Sequence, residues 1–158
     1  MTAMLLSGLQ TQAHEILAAA DELRLDGISV YKVDRADAAA RYAEGLALAG
    51  IAVAVMPPEG RFERDSSEGP VSAPGGVTLS VQVSEPCELA RAQGLPPTSD
   101  VAETVAWLLH SSNFPLRRDR IPLGVEDISL VPDDELLIYR VALAATGSIT
   151  PPTPNERT

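Results

Sequence analysis

From Val77 to Val83 the chain reads VTLSVQV, apolar at every odd position and polar at every even one. Successive side chains of a strand point to opposite faces, so this alternation commits the segment to a strand with one face on a core and the other polar. A second segment, IAVAVM from Ile51 to Met56, is apolar throughout and is stopped by Pro57 and Pro58. Such a run suits a strand buried on both faces. Between the two lies PPEGRFERDSSEGPVSAPGG, Pro57 to Gly76, where proline, glycine, serine and alternating charges cluster. It reads as a long mobile loop joining two strands.

The flanking segments add helices. Leu6, Leu9, Ala13, Ile16, Leu17 and Ala20 recur at helical spacing, with Gln10, Gln12, Glu15, Asp21 and Glu22 on the opposite side, and this helix is expected to end near Gly27. ISVYKV, Ile28 to Val33, reads as a short edge strand. A second helix is expected after an N-cap at Asp34, with Ala36, Ala39, Ala40, Ala43, Leu46 and Ala47 as its packing stripe and Gly50 just past its end. After Val83 comes SEPCELARAQGLPPT, far longer than the 2–6 residues that usually join a strand to a helix. Ser99 then reads as the N-cap of a third helix buried through Val101, Val105, Leu108 and Leu109, with Trp107 off that stripe. DISLV, a PDDE turn and LLIYRVALAA form a closing hairpin whose Leu137, Tyr139, Val141 and Leu143 share a face. This order predicts an α+β fold: a mostly antiparallel sheet with helices packed on one face, a long inter-strand loop and an extended C-terminal tail. One domain is expected at residues 1–146, with the tail at 147–158.

Charge and composition narrow the partners. The net charge is −10, and a field of that sign repels a phosphate backbone. Trp107, three tyrosines and two phenylalanines are too few for a stacking platform, so no sequence-specific nucleic-acid partner is expected. The basic run Arg117, Arg118 and Arg120 is split by Asp119 and reads as a solvated loop or a patch facing an acidic neighbour. Cys87 is the single cysteine, which excludes an intrachain disulfide. The N-terminal residues lack a basic region ahead of their few apolar ones, and no apolar stretch approaches 18 residues, so neither a secretion signal nor a membrane span is expected.

The residue patterns that carry chemistry are weak. His14 and His110 have no cysteine or second histidine at ligand spacing, so no metal or other cofactor is expected. Cys87 with His110 lacks any nucleophile signature, and Cys87 reads as a small loop residue. Gly75 and Gly76 lack the rest of a phosphate-cradling loop. Asp133, Asp134 and Glu135 follow Pro132 and read as turn residues. A non-enzymatic protein is the expectation.

Three linked pieces carry a family resemblance: GIAVAVMPPEG after an alanine-rich helix, VTLSVQVSEPCELARAQGLPPTSDVAETVAWLLH, and LVPDDELLIYRVALA. In this order and spacing, over residues 28–146, the chain resembles the tail terminator group among the minor tail and tail-completion proteins of long-tailed bacteriophages. Glu85-Pro86 and Leu108-Leu109-His110 occupy the family's positions, while its usual connector asparagine and arginine are altered in EPCELARAQ. The resemblance implies a virion protein, assembled in the host cytoplasm, that forms a homo-hexameric ring capping the tail tube at the head–tail junction. Its partners would be itself, the tail-tube protein and the neck or connector protein, with DNA passing through the lumen. On that reading the segments Pro57–Gly76 and Glu85–Thr98 are contact arms. Arg61, Phe62, Arg64, Glu85, Pro86, Glu88, Arg91, Arg117 and Arg118 are then the candidate inter-subunit residues, since guanidinium groups pair well with carboxylates. Two other readings stand beside it: a neck protein acting as a stopper or adaptor, and a small cytoplasmic enzyme or ligand-binding domain using Cys87, His110 and the PDDE turn.

Overall fold

The computed structural model describes residues 5–46, 50–64, 71–72, 76–87, 94–110, 121–145 and 148–149; of Arg64, Val71, Ser72, Ser148 and Ile149 it describes the backbone alone. In chain order the elements are α1 (Leu5–Ala19), a 3-10 turn (Asp21–Leu23), β1 (Ile28–Lys32), α2 (Ala36–Leu46), β2 (Ile51–Val55), β3 (Glu59–Gly60), β4 (Glu63–Arg64), β5 (Val71–Ser72), β6 (Val77–Pro86), α3 (Thr98–Leu109), β7 (Gly124–Val131), β8 (Leu136–Ala145) and β9 (Ser148–Ile149). The fold is α+β, with a main sheet in the order β1-β2-β6-β8-β7. Every pairing in it is antiparallel except β1 with β2, which α2 joins as a crossover.

β6 is the spine of this sheet. Val77, Leu79, Val81 and Val83 are fully buried and meet Ala145, Leu143, Val141 and Tyr139 of β8 in register. Thr78, Ser80 and Gln82 point the other way and stay half-buried, as the alternation requires. The opposite long edge of β6 is covered by two strands in line: β2 opposite Val81–Ser84 and β3 opposite Val77–Thr78. The break between them falls at Pro57 and Pro58, which have no N–H to offer a ladder. The stretch expected as one long loop therefore holds β3, which completes the main sheet, and β4 and β5, which form a small three-stranded sheet with β9. Ser148–Ile149, at the start of the expected tail, is that third strand; residues 150–158 lie outside the described ones.

The expectation of helices on one face needs correction. α1 and α3 share one face, where Leu9, Ala13, Leu17, Val101, Val105 and Leu109 join the valines of β2 and β6 in the main core. α2 lies on the other face and packs on Ala52 and Ala54 of β2. Its buried residues are Ala38 and Tyr42, whereas Ala36, Ala39, Ala40 and Ala43 of the expected stripe are exposed; Ala47 lies outside the described residues. One tyrosine decides this orientation, because its ring removes far more apolar area from water than several methyl groups do. The ring stacks at a tilt on Tyr31, centroids 5.7 Å apart, and its hydroxyl reaches Ser84 Oγ at 3.4 Å.

α1 is tied down by two amides that its polar face hides. Gln10, expected on the solvent side, is buried, and its Nε2 donates to the carbonyls of Val33 (2.9 Å) and Val55 (3.0 Å). Gln12 exchanges two hydrogen bonds of 2.8 Å with the backbone of Ile121, one donated by each partner. α3 begins at Thr98 with Pro97 as its cap, in place of the expected Ser99. The buried Thr98 hydroxyl donates to the Glu85 carboxylate, which draws the first turn of the helix onto the end of β6.

Candidate assembly surfaces

The residues that could have supported catalysis are dispersed by the sheet. Cys87 is exposed and continues the ladder by donating its N–H to Glu135 O, at the Leu136 end of β8. His110 lies at the far end of α3, where its Nδ1 accepts from Val125 N at 3.4 Å, opposite Leu143. Eight residue steps, from Glu135 to Leu143, separate these levels, on the order of 26 Å at about 3.3 Å per residue. A thiol and an imidazole so far apart cannot exchange a proton. Asp133 is a turn residue: its Oδ1 accepts from the N–H groups of Glu135 and Leu136, both at 2.9 Å. Among the described residues no three histidine, cysteine or acidic side chains gather as metal ligands, and no helix is long and apolar enough to cross a membrane.

His14 is set into the half-buried side of α1. Burial first, and Lys32 second, hold its imidazole below the ordinary value of 6.5, while Glu15 and Asp34 oppose them. The native state thus favours neutral imidazole, and the unfolded chain binds the extra proton first. The associated stability is present above pH 6.5 and is lost as pH falls below it. Urea midpoints measured from pH 7.5 down to about 5.5 are expected to drop more steeply for the native chain than for His14→Gln. Equal slopes would remove His14 from the acid response.

The candidate contact residues fall into three groups. Phe62 packs against the main core, so it anchors its segment. Arg61 is exposed on the rim of an open groove of about 650 Å³, where Glu59, Glu126, Asp127 and Arg140 also converge over Thr78 and Ser80. This groove occupies the part of the second sheet face that α2 leaves uncovered. Arg64 lies on β4. Glu85 and Pro86 are the last residues of β6, paired with Leu137 and Leu136, and the Glu85 carboxylate is held by Thr98. The arm expected at Glu85–Thr98 thus begins in a strand and ends in a helix. Glu88, Arg91, Arg117 and Arg118 lie outside the described residues.

Apolar surface left in water lies elsewhere. Trp107 (66% exposed), Leu130 (59%), Ile128 (38%) and Leu137 (36%) belong to α3, β7 and β8, and Leu25 (42%) precedes β1. Trp107 was legible as an off-stripe residue. Ile128 and Leu130 were not, because DISLV reads alike for a central and an edge strand. Only the sheet order makes β7 an edge.

No family model matches the sequence, and no curated protein does. Among solved structures, the chain is similar to one described as "Virion of native gene transfer agent (GTA) particle", with a TM-score of 0.53 and 17% identity over 92% of this chain and 99% of that one. The similarity runs nearly end to end in both chains, and at that identity the two share a fold.

Proposed function

We propose that this chain is a structural, non-enzymatic virion protein: a tail terminator or completion subunit that forms a ring, six copies around, capping the tail tube at the head–tail junction. The observation that carries the reading is the end-to-end fold match to a chain of a virion particle. The resemblance of the sequence to tail terminators supports the finer reading. The net charge of −10 suits a lumen through which DNA slides without adhering. A ring subunit must offer surfaces to lateral and axial neighbours, and the segment Pro57–Gly76, which adds β3 to the main sheet and β4 and β5 to the small one, supplies such surface. Assembly is expected in the host cytoplasm, with the mature protein in the virion.

Negative-stain microscopy of the purified chain, alone and mixed with tail tubes or with heads, tests this. Rings seated on one end of the tubes are the expected result, together with a mass by light scattering that grows with concentration. Rings that bind heads and leave tubes bare would favour the neck stopper or adaptor. A folded monomer that binds neither would overturn the reading.

A further inference from the structure

We draw no further inference here: the strongest candidate, the apolar surface patch that Ile128 and Leu130 of β7 and Leu137 of β8 leave in water at one end of the main sheet, carries none because nothing in the structure shows what covers it.

Discussion

Alanine at position 50 is expected to lower the stability of the protein by about 3–5 kcal/mol, among the largest losses available to a single methyl group here. Gly50 holds φ +126°, a conformation that L residues rarely adopt, and a Cβ on it would collide with the carbonyl oxygen of Gly27. Neither side can give way. That carbonyl accepts the Ile51 N–H at 2.7 Å, and the next residue, Ile28, opens the parallel ladder opposite Ile51. Relief would therefore unpick the start of both strands. Gly94 supplies the control, since its φ is +87° but among the described residues nothing lies within 4 Å of an added Cβ. Gly94→Ala should lose only the conformational part, roughly 1–2 kcal/mol. Urea unfolding of the two variants checks this, and equal losses would mean that the Gly27 contact does not require glycine at 50.

Gln10→Leu is expected to cost roughly 2–4 kcal/mol, although leucine matches glutamine in size and suits a buried site. The amide Nε2 satisfies the carbonyls of Val33 and Val55, which follow β1 and close β2, and thereby joins α1 to both strands. Leucine offers no donor. Val55 O would keep its bond from Val33 N, at 3.0 Å, while Val33 O would lose the donor that the helix provides. Gln10→Glu should cost more at neutral pH, because a carboxylate would face two carbonyl oxygens, and part of the loss should return on acidification as the carboxyl becomes a donor. The measurement is the urea midpoint of both variants at pH 7 and pH 5. A leucine variant as stable as the native chain would show that the amide contributes nothing beyond its volume.

Both positions illustrate how much local pattern conveys. Gly50 was legible as the residue after a helix, and its positive φ fits that place, but the collision that makes glycine necessary comes from Gly27, across the sheet edge. Gln10 was legible only as polar, hence expected in water. Its burial follows from two carbonyls that the chain reaches 23 and 45 residues later. The candidate surface behaves in the same way. Trp107 declared itself by falling off a helical stripe, whereas Ile128, Leu130, Glu126 and Asp127 acquire meaning from the strand order that leaves β7 at the end of the sheet.

By itself, the sequence determined what depends on neighbours along the chain. The alternation of β6, the doubly buried β2, the apolar stripe of α3, the edge character of β1 and the Asp133 turn all follow from side-chain period and backbone stereochemistry, which act over a few residues. Tertiary structure alone decided which face each helix covers, which glutamine is buried, and which two-residue segments count as strands. Those outcomes depend on partners distant in sequence: Tyr42 turns α2 onto Ala52 and Ala54, Glu85 fixes where α3 starts, and β5 becomes a strand because β4 and β9 lie beside it. A hydrogen bond or a packing contact has two ends, and only the fold says where the second one is.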